Sequence, residues 1–361
     1  MIPTRAAAGS SHHVVDVGDR RVGHGCATYV IAELSANHDH DLGKARELVH
    51  VAAEAGADAV KLQTYTPDTM TLDCDRPEFR IGPGTIWEGR RLHDLYAQAM
   101  TPWEWHAPLL EEAERCGLQL FSAPFDDSAV AFLDELDVPA LKIASFELTH
   151  LPLIERAAAT GRPLIISTGM ATIDEIDAAI ATAGTGGGGG VVLLRCNSSY
   201  PAPVSEMDVC TITDMIDRWN VPVGLSDHTL GLAAALAAVS LGASVIEKHI
   251  TLSRDDPGPD SAFSLEPAEL ALLVREIRDV EAALGSVRYG PTERERPSLG
   301  FRRSIFAGCD IAAGEELSER NLVVIRPADG LSPADLPHVV GRPAATAIAR
   351  GTPLSWSLVA D

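Results

Sequence analysis

The chain carries eight short runs that are almost continuously apolar and rich in β-branched residues, at 29–34, 59–64, 118–123, 140–145, 164–169, 191–197, 221–228 and 244–250. Each run ends in polar side chains. Such runs predict parallel strands covered on both faces. Between them, 41–55, 103–116, 128–136, 173–183 and 230–241 have the Ala, Leu and Glu spacing of amphipathic helices. Strand and helix alternating eight times over about 250 residues predict a (β/α)8 TIM barrel. The competing fold is a doubly wound open sheet. Its first turn needs a glycine fingerprint, and Glu33-Leu34-Ser35-Ala36-Asn37 has none.

Three stretches fall outside the alternation. Residues 65–102 form a connection far longer than its neighbours, containing Gly84-Thr85-Ile86-Trp87-Glu88-Gly89-Arg90 and leading into Thr101-Pro102-Trp103-Glu104-Trp105. A connection of that length predicts a task, here a lid or a specificity wall. Gly186–Gly190 lacks the Lys-Ser/Thr that a phosphate cradle needs and reads as a solvent loop. After residue 285 the pattern changes. Residues 286–300, with Pro291, Pro297 and Glu293-Arg294-Glu295-Arg296, have a linker's composition. Residues 301–361, broken by Gly and Pro, read as a small β-rich domain. The expected organisation is a catalytic barrel over 1–285 with an extension at 1–27, a linker, and this accessory domain. A domain so small is marginal alone and is expected to pack on the barrel or on a partner subunit.

Composition narrows the class. Of the 361 residues, 46% are hydrophobic and 22% charged, which excludes a disordered chain. A net charge of -22, from 29 basic against 51 acidic residues, argues against nucleic acid and anionic membrane as partners. An anionic ligand therefore needs a local basic pocket. Arginine supplies most of the positive charge; the four lysines are Lys44, Lys61, Lys142 and Lys248. A retained lysine suits a compact point charge rather than a planar fork. No run of 18 apolar residues and no signal-peptide pattern occurs, so a cytoplasmic location is expected. The six cysteines form no C-x-x-C pair and read as reduced thiols.

In a barrel of this kind the chemistry sits at the C-terminal ends of the strands. Those ends supply Glu33, Lys61, Gln63, Ser122, Lys142, Ser145, Glu147, Ser167, Thr168, Asn197, Ser198, Tyr200, Ser226, Asp227, His228, Glu247, Lys248 and His249. Lys61 and Lys142 could hold a phosphate or carboxylate; the bland reading is a strand lysine paired with a neighbouring carboxylate. Lys142 as a Schiff-base nucleophile is a weaker alternative. His228 and His249, ending adjacent strands, could bind one divalent metal, with Glu33 or Asp260 assisting. By strand alternation, Lys248 is expected to point away from them. Together these groups describe an enzyme that joins a small phosphorylated anion to a polar partner carrying a carbonyl.

At the same positions the chain resembles the sialic acid synthase family over nearly its whole length. The resemblance is carried by IAELSANHDHD (31–41), AVKLQTY (59–65), FSAPFD (121–126), LKIASFE (141–147), ISTGM (166–170), LLRCNSSYPAP (193–203), GLSDHT (224–229), IEKHITL (246–252) and GPDSAFSLEP (258–267). FRRSIFAGCDIAAGE and RNLVVIRPADG in the tail resemble that family's C-terminal antifreeze-like (SAF) domain. GTIWEGRRLHDLY (84–96), TPWEW (101–105) and Ser261 resemble its pseudaminate-forming branch.

That resemblance implies condensation of phosphoenolpyruvate with 2,4-diacetamido-2,4,6-trideoxy-altrose and water, giving pseudaminate and phosphate. N-acetylneuraminate or legionaminate synthesis is the alternative, and a carbohydrate-binding protein without activity a distant one. The implied cofactor is Mn2+ or Mg2+ on His228 and His249. Lys61, Lys142, Ser145, Ser167 and Ser226 are implied to bind phosphoenolpyruvate. Glu33 is implied to act as acid/base or to orient water, and Asp260 and Glu247 to hold sugar hydroxyls. Gln63, Tyr200 and Asp227 complete the expected substrate contacts. Two departures matter: Ala123 stands where neuraminate synthases usually have Thr, and either Asn197 or Ser198 takes the family's Asn position. A domain-swapped homodimer is implied, in which Arg303, or less securely Arg302, reaches the partner's site.

Overall fold

The computed structural model describes residues 14–186 and 188–360. Part of the expected N-terminal extension (1–13), Gly187 of the glycine run and Asp361 lie outside the described residues. The rest of the extension forms a hairpin that the sequence reading did not anticipate, β1 (Val14–Val17) paired with β2 (Arg20–Gly23). Val15, Val17 and Val22 alternate inward and are buried, and Gly18 takes the turn at φ 55°. Gln119, the first residue of a barrel strand, donates to the Val17 carbonyl at 2.7 Å. The hairpin therefore covers the end of the barrel opposite the polar strand ends.

Eight strands follow: β3 (Tyr29–Glu33), β4 (Ala59–Thr64), β5 (Gln119–Pro124), β6 (Leu141–Ile143), β7 (Leu164–Ser167), β8 (Val191–Cys196), β9 (Val223–Asp227) and β10 (Val245–His249). They close in the order β10-β3-β4-β5-β6-β7-β8-β9, every pairing parallel, which excludes the open sheet. Every residue of β3, β7, β9 and β10 is buried, as strands covered on both faces require. Helices clothe the outside: α1 (Leu42–Ala55), α4 (His106–Arg115), α5 (Asp127–Glu135), α6 (Leu151–Ala158), α7 (Ile173–Gly184), α8 (Thr211–Trp219), α9 (Ala233–Ser240) and α10 (Pro267–Leu284), while α2 (Pro67–Met70) and α3 (Leu92–Ala99) belong to the connection after β4. Their starts use local chemistry. Asp41 caps α1 by accepting from Gly43 and Lys44 backbone N–H groups, and Thr172 with Glu175 forms a capping box on α7. The long 65–102 connection is structured, holding α2, α3 and a bridge between Arg80 and Arg91.

The chain divides into two units, Met1–Gly285 and Ser286–Asp361. The second has its own core around Ile305, Leu317, Leu322, Val339 and Leu354. It contains one ribbon, β11 (Ser304–Ala307) with β12 (Leu322–Ile325), and the single turn α11 (Leu336–Val339). Much of the expected β structure is reduced to single bridges, such as Ile311–Ile348 and Glu316–Pro343. Gly and Pro recur every few residues there and stop each ladder from extending. All six cysteines are free. Among the described residues no helix is long and apolar enough to cross a membrane.

Candidate active site

Strand alternation decides which polar residues face the barrel interior. Parallel register puts Glu33 of β3 level with His249 of β10 on one side and Lys61 of β4 on the other. Glu247 lies level with Ser226, and Ser226 with Cys196. Above them opens a cavity of about 760 Å³. Of the expected site residues, Lys61, Gln63, Lys142, Ser145, Ser167, Ser198, Tyr200, Ser226, His228, Glu247, His249 and Asp260 line it.

The floor is a buried chain of alternating charges. Lys61 pairs closely with Glu33 and lies 3.7 Å from Glu247, whose other oxygen is 3.8 Å from Lys142. Lys142 donates to Ser167 Oγ at 2.6 Å, and Ser226 donates to Glu247 at 3.0 Å. Burial pushes the Glu33 carboxyl up; Lys61 draws it back and Glu247 adds to the rise, leaving it raised. Burial also pushes Glu247 up, but Lys142 and Lys61 outweigh it and hold the group low. Lys142 is lowered by burial, with Glu247 as a partial offset, while Glu247 and Glu33 raise Lys61 against its burial. Two lysines thus face two carboxylates. Glu33 itself is fully buried, held by Gln63 Nε2 at 3.3 Å and the Ser35 N–H at 3.0 Å, and sits behind Lys61 rather than on the cavity wall.

His228 and His249 stand side by side, ring centroids 5.3 Å apart. The Asn197 carbonyl accepts from His228 Nδ1 at 2.8 Å, which fixes the tautomer and leaves Nε2 available. His249 Nδ1 is buried without a hydrogen-bond partner, and Asp260 Oδ2 lies 3.7 Å away. Burial, and then His228 and the lysines, lower the His249 pKa well below its ordinary value, so the ring is neutral. Burial opposes charge on His228 too, but Cys196 beside it raises the imidazole, so a cation there competes with a proton. Two imidazoles, one with an orphaned buried nitrogen, beside a carboxylate fit a divalent cation. Among the described residues, the set of three ligand-type side chains converging elsewhere is His50, Glu112 and Cys116, on α1 and at the end of α4. There Glu112 already accepts from Arg115 at 2.7 Å and sits 3.1 Å from His50. That cluster reads as an ion-pair network outside the barrel.

Three expectations need correction or separation. Asp227 was expected to contact substrate but points to the outer face, paired with Lys248 at 2.9 Å and accepting from the Thr229 N–H. Alternation excludes it, since Ser226 and His228 on either side face inward. Asn197 turns away, donating to the Glu206 carbonyl and accepting from Ser199, whereas Ser198 faces the cavity and shares a 2.8 Å hydrogen bond with Ser145. Arg303 lies in the second unit, exposed, with Nη1 donating to the Val324 carbonyl at 3.3 Å.

The structure also brings in residues for which the sequence implies no role. Glu147 lines the cavity with a buried, unpartnered Oε2, and burial pushes its pKa up to about 7 against the pull of Lys142. Trp87 and Tyr96 come from the 65–102 connection. Tyr200 packs on His228 with centroids 4.4 Å apart, and Trp87 on Tyr200 at 5.6 Å.

Residues 48–289 match the NeuB family and residues 302–360 the SAF domain. The chain is 42% identical to the pseudaminic acid synthase of Helicobacter pylori, over 90% of this chain and 96% of that protein. It is 37% identical to the N,N'-diacetyllegionaminic acid synthase of Legionella pneumophila, over 91% and 93%. In three dimensions it resembles the sialic acid synthetase of Leptospira borgpetersenii, solved with citrate, at a TM-score of 0.70 and 30% identity, covering 80% of this chain and 96% of that one.

Proposed function

We propose, on the premise that this chain belongs to the NeuB family, that it is a pseudaminic acid synthase. It joins phosphoenolpyruvate to 2,4-diacetamido-2,4,6-trideoxy-altrose with one water and releases phosphate. The observation that carries the chemistry is the pair of buried lysines facing two histidines across one cavity; the acceptor rests on the 42% identity to a pseudaminic acid synthase.

Each residue's part follows from its place. Lys61 and Lys142, with the hydroxyls of Ser145, Ser167, Ser198 and Ser226, hold the carboxylate and phosphate of phosphoenolpyruvate. A dianion needs the carboxylates around it neutralised or moved. Glu33 and Glu147, both raised, and Asp260, raised by burial against its bond from Ser35, are the groups that can take up protons to allow this. A divalent cation, Mn2+ or Mg2+, held by His228 and His249 beside Asp260, would polarise the acceptor's aldehyde. The C3 carbon of phosphoenolpyruvate forms a bond to that aldehyde carbon, whose oxygen takes a proton. Water adds at C2, and the intermediate expels phosphate with cleavage of the C2–O bond. Glu33, behind Lys61, holds or gives up the proton exchanged with water by way of the Lys61 ammonium, while Gln63 and the Ser35 N–H orient its carboxyl. Glu247 fixes both lysines and, with Asp260, meets sugar hydroxyls.

The second unit extends the reading. A domain-swapped homodimer in which Arg303 enters the partner's cavity gives that exposed guanidinium an acetamido oxygen to hold. The enzyme works in the cytoplasm, where phosphoenolpyruvate is made. The test is phosphate release from phosphoenolpyruvate, with and without the acceptor and with and without chelator. Release that needs both the sugar and the metal supports the reading; release without either contradicts it.

A further inference from the structure

The cavity has two chemically distinct ends. The strand ends contribute lysines, carboxylates, serines and imidazoles. The stretch 70–99 contributes only uncharged side chains, with Ile81, Ile86, Trp87, Leu92 and Tyr96 forming its face. Trp87 ties this wall to the barrel. Its indole N–H donates to the Pro259 carbonyl at 3.0 Å, beside Asp260, and its ring lies against Tyr200, which in turn lies against His228. From the histidines outward, therefore, two aromatic rings lead from the polar floor to the apolar wall.

An open-chain hexose with its aldehyde at the histidines can lay its far carbons along those rings. Ordinary hydroxyls there would lose water and meet mostly Ile, Leu and Trp surface, which is unfavourable. Methyl groups would instead be buried favourably. We propose that Trp87 is a specificity-determining residue, which selects acceptors carrying a 6-deoxy carbon and a second acetamido methyl over acceptors with hydroxyls at those positions. The inference rests on the proposed reaction and names the part of the protein that chooses its substrate.

The experiment compares kcat/KM for the 6-deoxy-2,4-diacetamido hexose and for N-acetylmannosamine in wild type, Trp87→Ala, Trp87→Phe and Ile86→Ser. Wild type prefers the deoxy sugar. Trp87→Ala lowers its kcat/KM by about 10-fold or more, the scale set by apolar pocket contacts, and changes that for N-acetylmannosamine far less. Trp87→Phe, which loses the hydrogen bond to Pro259 but keeps a ring, retains most of the preference. Ile86→Ser, at a half-exposed position, shifts the preference in the same direction as Trp87→Ala without touching that bond. The KM for phosphoenolpyruvate stays unchanged throughout. An equal fall for both acceptors in Trp87→Ala, or none for either, overturns the role of Trp87. A wild type that favours N-acetylmannosamine overturns instead the acceptor in the proposed function. If Trp87→Ala fails to fold, Ile86→Ser decides: an unchanged preference there overturns selection by this wall.

Discussion

Replacing Glu147 by Gln isolates the energetics of a carboxyl set against the cavity wall. The group sits just beyond β6, with Oε2 buried and unpartnered, and burial raises its pKa from 4.5 to about 7. Its folded pKa lies above its unfolded one, so between those values the folded state binds more protons. Stability therefore falls as pH rises from 4.5 to 7, and the loss is complete above 7. At about 1.4 kcal/mol per unit, the burden carried by wild type at pH 8 is about 3 kcal/mol as an upper bound. Gln carries no charge to desolvate and its amide keeps the carboxyl's shape. Urea unfolding of wild type and Glu147→Gln at pH 5 and pH 8 measures the difference. Glu147→Gln gains relative to wild type by up to about 2.5 kcal/mol on going from pH 5 to pH 8, since part of the loss is already present at pH 5. Two proteins whose stabilities run parallel across that range would refute the assignment of a buried, unpaired carboxyl here.

Other outcomes test separate parts of the site. His249→Ala remains folded by circular dichroism but loses both turnover and bound manganese after dialysis, measured by elemental analysis; full metal content in the variant contradicts the ligand assignment. Lys61→Met leaves Glu33 and Glu247 without their shared cation, costing about 3–5 kcal/mol in urea unfolding together with phosphoenolpyruvate binding. Asp227→Asn strips Lys248 of its buried partner and destabilises on a similar scale, yet leaves the KM of both substrates unchanged in the enzyme that remains folded. A KM effect there restores Asp227 to the cavity. Borohydride added with substrate leaves Lys142 unmodified by mass; a trapped adduct favours Schiff-base chemistry.

The barrel was legible because buried parallel strands are written as apolar runs, and the two lysines and two histidines because each lies within or at the end of such a run on its inward face. Asp227 was misplaced for the opposite reason. The polar cluster Ser226-Asp227-His228 closes one run, but alternation turns its middle residue outward onto Lys248. Asn197 and Ser198 differ in the same way, since one position decides which of them faces Ser145. The hairpin of β1 and β2 escaped notice because its three buried valines are too few to stand out beside eight longer runs. Trp87 stood in the sequence as part of a long connection and of its 84–96 segment, without a contact. Its partners, Tyr200 and Pro259, are more than a hundred residues away, and only closure of the barrel brings them together. Glu147 stood in the sequence as another strand-end polar residue; its burial, and so its raised pKa, depends on walls from elsewhere in the chain.

The most direct measurement offers phosphoenolpyruvate and manganese to the enzyme with equal concentrations of the 2,4-diacetamido-trideoxy altrose, the corresponding diacetamido mannose-type sugar and N-acetylmannosamine, and resolves the products by liquid chromatography and mass. The similarity to pseudaminic acid synthases predicts pseudaminate as the main product, formed in step with phosphate. A mixture dominated by N-acetylneuraminate, or phosphate release without any nine-carbon acid, would contradict it.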